Sequence, residues 1–229
     1  MPHPRKVARI WFPQYTDHTT PTHQDFVHFQ GSFDTLTCWA PVGDCPVELG
    51  GLAVIPGSHK VGRVLDHHFS LGAGGLVVDE TAHEEIDPVW HSTDYKMGDT
   101  LIFPALTVHK ALPNYTEHQL RLSLDNRYQI VGDSIAEHML EPHDPSGLSW
   151  EQIYPDWSAD DLKHYWKSYD NPVVPRDMSF SDRGFAEALE LARGGNENAV
   201  FRMQRTAAND PDSAYGQQAR AMLAEAGLA

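Results

Sequence analysis

The chain has 229 residues, 41% of them hydrophobic, enough for one large domain with a real core or for a domain and a small appendage. Acidic side chains number 32 against 17 basic ones, a formal charge of -15, and with no basic cluster along the sequence this field excludes nucleic acid and anionic membrane surfaces as partners. Two cysteines, Cys38 and Cys45, make neither a disulfide framework nor a zinc pattern, and MPHPRKVARIWFP at the start holds no apolar run of signal or spanning length, so the expected location is cytoplasmic.

Residues 1–132 are expected to form a β core. The runs VARIWFPQ, DFVHFQG, TLTCWAPVG, GLAVIPGSH, DTLIFPAL and RLSLDNRYQI are short, rich in β-branched and aromatic residues, and separated by Gly, Pro and Asp turns. Strands at this spacing suggest a sandwich or barrel. Residues 60–95 interrupt them as a long irregular insertion with the run GAGG at 72–75, the length of a lid. His67, His68 and His83 within it are expected to be solvated rather than to line a pocket.

Residues 133–178 carry Trp150, Tyr154, Trp157, Tyr165, Trp166 and Tyr169 among acidic residues. Short capped helices are expected here, with Ser158 as one cap, and the aromatics should pack on the outside of the β core. Residues 179–229 read as a helical hairpin plus a terminal helix. Ser181 or Asp182 caps the first helix, Gly194 and Gly195 stop it, and Asp210-Pro211 separates the next two. One such helical unit cannot bury its own apolar face, so it should dock on the β core, on a partner, or on a second copy in a homo-oligomer.

The chemistry is expected around the 14 histidines. In Pro21-Thr22-His23-Gln24-Asp25, residues i and i+2 of a strand share a face, so His23 and Asp25 can hold one ion while Gln24 points away. His109, after the strand GDTLIFPALTV, would complete a two-histidine, one-carboxylate triad suited to Fe(II). An antiparallel hairpin centred on Tyr115 would then put Arg121 opposite His109, with Ser123 on the same face as Arg121. Three protein ligands leave three open positions, two for 2-oxoglutarate and one for O2. Arg121 and Ser123 would anchor the far carboxylate of 2-oxoglutarate.

The segments THQDFVHFQGSFDTLTCWAPVGDCPVELGGLAVIPGSHK and GDTLIFPALTVHKALPNYTEHQLRLSLDNRYQ resemble the phytanoyl-CoA dioxygenase family, over residues 7–130. The resemblance implies a mainly β fold, a double-stranded β-helix (jelly roll, cupin-like), here with a C-terminal α-helical extension. It implies Fe(II), 2-oxoglutarate and O2, and hydroxylation of a small-molecule substrate with release of succinate and CO2. It assigns His23, Asp25 and His109 to the metal and Arg121 with Ser123 to the co-substrate. Trp39, Thr37 and Gln14 fall where members of that family place further co-substrate contacts. Asp25 argues against halogenation, because halogenating relatives lack that carboxylate.

Only nine residues precede IWFPQ, fewer than family members carry. The outward stripe Leu120, Leu122 and Leu124 therefore needs cover, for which the C-terminal helices are available. The rival readings are a non-catalytic or weakly active jelly-roll metal-binding module, and a cupin-like metalloenzyme that uses O2 without 2-oxoglutarate. A CoA ester is not expected as substrate, since no basic patch is visible to hold its phosphates.

Overall fold

A computed structural model describes residues 1–143 and 147–228. Its strands are β1 (Val7–Trp11), β2 (His23–Gln24), β3 (Leu36–Pro41), β4 (Leu52–Val54), β5 (His68–Phe69), β6 (Leu76–Val77), β7 (Leu101–Pro104), β8 (Val108–Ala111), β9 (Arg121–Tyr128), β10 (Ile135–Ala136) and β11 (Val173–Val174). Its α-helices are α1 (Phe26–Phe29), α2 (Trp150–Ile153), α3 (Ser179–Arg193), α4 (Glu197–Asn209) and α5 (Ala214–Glu225). Strands dominate residues 1–132. Beyond them the chain is helical apart from the β10–β11 pair, so helix and strand hold comparable shares.

Two antiparallel sheets build the core, one of four strands in the order β1-β9-β3-β7 and one of three in the order β2-β8-β4. Alternation along each strand turns one face of each sheet inward. Trp11, Trp39 and Phe103 from the larger sheet meet Leu52 and Ala111 from the smaller in one buried cluster.

The expected hairpin between β8 and β9 does not form. β8 has β2 and β4 on its two edges, and β9 has β1 and β3, so neither has an edge left for the other. Residues 112–120 instead cross from one sheet to the other. Buried Asn114 holds that crossing by donating to the carbonyls of Phe12 at 3.0 Å and Gln119 at 2.8 Å.

DFVHFQG is likewise not a strand. After Gln24 the chain turns into the single helical turn α1, with Asp25 at its N-cap, and left-handed Gln30 and Gly31 end it. Val27 and Phe29 are buried by that turn.

Residues 60–95 are anchored to the core at three points. Leu65, Val78 and Ile86 pack with Ile55 and Val108 in a separate buried cluster beside the smaller sheet. His67 is buried, against expectation: Nε2 accepts from the Gln24 amide at 3.2 Å, and Nδ1 lies 2.8 Å from the Leu65 carbonyl. His68 is exposed and His83 half-buried.

The helices α3, α4 and α5 share their own core around Ala188, Ala199, Met203 and Met222. They dock on the β5–β6 hairpin, where the Phe69 amide donates to Glu187 at 2.6 Å. α3 begins at Ser179, before the expected caps, with Asp177 accepting from the Ser179 amide at 2.9 Å. Ser158 caps no α-helix, while Ser149 caps α2. Trp150 stacks on Tyr154 with ring centroids 5.3 Å apart and tilts against Trp166 at 5.0 Å, while Tyr165 donates its hydroxyl to the His3 carbonyl at 3.0 Å. The C-terminal helices do not cover the outward stripe: Leu120, Leu122 and Leu124 are 56%, 39% and 43% exposed, as are Ile10 on β1 at 50% and Ile102 on β7 at 58%. Among the described residues, no helix is long and apolar enough to cross a membrane.

Candidate active site

His23 and His109 are direct cross-strand partners in the smaller sheet, their ring centroids 4.1 Å apart. Asp25, placed one step past β2 by the helical turn, brings Oδ1 to 3.4 Å from Nε2 of His23 and 3.7 Å from Nε2 of His109. All three side chains are buried, and their ligand atoms lie within 4.8 Å of one another. Gln24 points the other way, as expected, and ties the insertion down through the Leu65 amide at 2.7 Å and the Leu106 carbonyl at 2.9 Å.

The donor set is oriented for a cation. Nδ1 of His23 lies 2.8 Å from the Pro21 carbonyl, and Nδ1 of His109 lies 3.0 Å from the Thr107 carbonyl. A carbonyl only accepts, so Nδ1 carries the proton and Nε2 keeps a free lone pair. Burial, with His23 beside it, lowers His109 to about 4, which keeps it neutral and able to ligate. Burial would raise the Asp25 carboxyl, but it stands well below the usual carboxylate range, the Arg127 guanidinium beside it being the largest influence pulling it down. Thr37 reaches across from the larger sheet and donates its hydroxyl to Asp25 Oδ2. Two neutral imidazoles and one carboxylate on one side of a buried cavity fit a divalent first-row metal, Fe(II) among them.

The same cavity, between the two sheets, is lined by Trp39, Thr37 and Arg121 as well as the triad. Arg121 is 1% exposed, and its guanidinium lies 4.7 Å from the Trp11 ring and 5.9 Å from the Trp39 ring. Nη1 donates to Ser123 at 3.3 Å, while Nε and Nη2 have no hydrogen-bond partner among the described residues. Burial lowers the Arg121 guanidinium to about 10, still a cation at neutral pH. The structure thus brings together the triad, Arg121, Ser123, Trp39 and Thr37. It does not bring Gln14, which sits exposed beyond β1 in a left-handed turn.

Arg127 escaped the sequence reading. It is 2% exposed, its Nη2 is 3.6 Å from Asp25 Oδ2, and its guanidinium lies 3.7 Å from the centre of the Phe29 ring. The signal was present: Arg121, Ser123, Asp125 and Arg127 alternate along β9 and all face inward.

The sequence profile of the phytanoyl-CoA dioxygenase (PhyH) family matches residues 5–122. The chain belongs to this family. Among curated proteins, the 1-deoxypentalenic acid 11-beta-hydroxylase of Streptomyces exfoliatus is 32% identical over 134 residues, 54% of this chain and 45% of that protein. The protein of the same name from Streptomyces arenae is 32% identical over 128 residues. The chain therefore spans about half the length of the curated relatives it matches. Among solved structures, EvdO2 from Micromonospora carbonacea var. aurantiaca, complexed with 2-oxoglutarate, is 28% identical, with 53% of this chain and 49% of that chain covered and a TM-score of 0.45. The epimerase SnoN from nogalamycin biosynthesis, in complex with Fe3+, alpha ketoglutarate and nogalamycin RO, is 23% identical, with 74% and 62% covered and a TM-score of 0.45.

Proposed function

We propose that this PhyH-family chain is an Fe(II)/2-oxoglutarate-dependent dioxygenase that hydroxylates a small molecule. The observation that carries the reading is Arg121, a buried guanidinium with two unpartnered nitrogens on the cavity that also holds the triad. A buried cation with open donors calls for an anion that chelates at the metal and ends in a second carboxylate, as 2-oxoglutarate does. The curated relatives, named as hydroxylases, support the same reaction class. The two sheets are read as those of a double-stranded β-helix.

Bound Fe(II) supplies the activation of O2. The overall balance is R–H, O2 and 2-oxoglutarate to R–OH, succinate and CO2, one oxygen atom going to each organic product. The chain's own residues set the geometry. His23 and His109 present Nε2, Asp25 presents Oδ1, and Thr37 keeps the other carboxylate oxygen occupied. Arg121, helped by the Ser123 hydroxyl, fixes the far end of the co-substrate, with Trp39 at its side. Burial of all these groups keeps bulk water from the reacting centre. The rim of residues 72–75 is the part of the insertion that covers the site, with Gly74 set against His28.

Anaerobic titration with Fe(II) and 2-oxoglutarate tests the reading. A weak visible charge-transfer band should appear and should vanish in His23→Ala and Asp25→Ala. Metal binding without the band and without succinate formation would instead identify a non-catalytic metal-binding module.

A further inference from the structure

A second cavity of about 330 Å³ lies against His23 and Asp25, within the size range of small-molecule sites. Four arginines from distant parts of the chain line it: Arg5 and Arg9 from the N-terminal segment, Arg127 from β9, and Arg176 ahead of α3. The basic patch that the sequence does not display is made by the fold.

These cations are unevenly answered. Arg9 pairs with Asp125 at 2.8 Å. Among the described residues Arg5 donates to a backbone carbonyl alone, that of His138, at 2.8 Å. Neither Arg5 nor Arg176 forms an ion pair among the described residues, and Arg127 keeps Nε and Nη1 unpartnered at 2% exposure. Burial, then the neighbouring Arg176 and Arg127, lower the Arg5 guanidinium, a repulsion that a bound anion would relieve. Val7, Phe29 and Met139 supply the apolar part of the cavity lining, beside Thr20, His28 and His138. Asp25 in the lining, Asp125 behind it on Arg9, and the nearby Glu141 oppose a polyanion.

We propose that this cavity is the substrate pocket, and that the substrate is a small, largely apolar molecule bearing one carboxylate held by Arg5 and Arg176. Calling the ligand a substrate rests on the dioxygenase reading; the carboxylate site does not. Its apolar body lies along Val7, Phe29 and Met139, which presents a C–H bond to the face occupied by His23 and Asp25.

The test uses the full chain without metal, so that it is independent of the charge-transfer band. Ligand-observed NMR titrations would compare cyclohexaneacetate with its uncharged amide. The acid should bind about tenfold or more tightly than the amide. Arg176→Gln, at an exposed position, and Arg5→Gln should each weaken the acid about tenfold and leave the amide unchanged. Arg121→Ala should leave both ligands unchanged. No binding of the acid, equal binding of acid and amide, acid binding that survives both arginine changes, or its loss in Arg121→Ala would overturn the proposal.

Discussion

Thr37, on the larger sheet, donates its hydroxyl to Asp25, which follows the first strand of the smaller one. One carboxylate oxygen is thereby committed across the sandwich and the other is left facing the two histidines. Groups that orient a ligand in this way change metal affinity about 10- to 100-fold. Thr37→Val should weaken Co(II) binding by that factor, read from its visible absorption, and Thr37→Ser should restore most of it. Equal affinities in the wild type and Thr37→Val would show that the hydroxyl does not position Asp25.

Arg121 should separate co-substrate from metal. Arg121→Gln should lower 2-oxoglutarate affinity about 100-fold, the loss of a charge-assisted pair worth about 3 kcal/mol, while metal affinity stays within about twofold. Arg121→Lys should rescue little, because a point charge on a flexible stem does not match a carboxylate at two nitrogens. Anaerobic titration of the charge-transfer band reads all of these.

Stability should fall as the solution is acidified through the histidine range. Burial lowers His3 and His67 from 6.5 to about 4. Between those values the unfolded chain binds protons that the folded chain refuses, so each costs about 1.4 kcal/mol per pH unit. Full stability is present above 6.5, and the loss runs down to about 4. Urea unfolding at about pH 7 and about pH 5 should show this slope, and His67→Gln should remove its share while keeping an acceptor for the Gln24 amide.

Gly72 carries φ +146°, and a Cβ there would stand 2.5 Å from the Thr19 carbonyl oxygen. Gly72→Ala must therefore push the 71–75 loop outward, at a cost of about 1–3 kcal/mol. Limited proteolysis should cut that loop faster in the variant, with Co(II) affinity unchanged. An unchanged cleavage rate would mean that the loop does not depend on this approach.

The cluster of His23, Asp25 and His109 was legible because its spacing is local. His23 and Asp25 are two residues apart, and His109 ends an apolar run. The path to Arg121 was not legible. A nine-residue connection with a Pro and an Asn reads equally as a hairpin turn or as a crossing between sheets, and only the occupied edges of β8 and β9 decide it. DFVHFQG was misread because one helical turn is too short for its period to show against a β-rich composition. The arginine pocket left no sequence trace at all, since Arg5 and Arg176 meet only after the whole core has formed. Whether the helices cover the apolar outer face was a question of docking, and it was settled by the β5–β6 hairpin rather than by periodicity.

β9 wears its polarity inside out: Arg121, Ser123, Asp125 and Arg127 are buried while Leu122 and Leu124 face solvent. Replacing buried ionic groups by well-packed apolar ones often stabilises a fold by about 1–4 kcal/mol. A selection for heat resistance alone would therefore drift toward apolar residues at Ser123 and Arg121, and its most robust survivors would be the ones that had discarded the site.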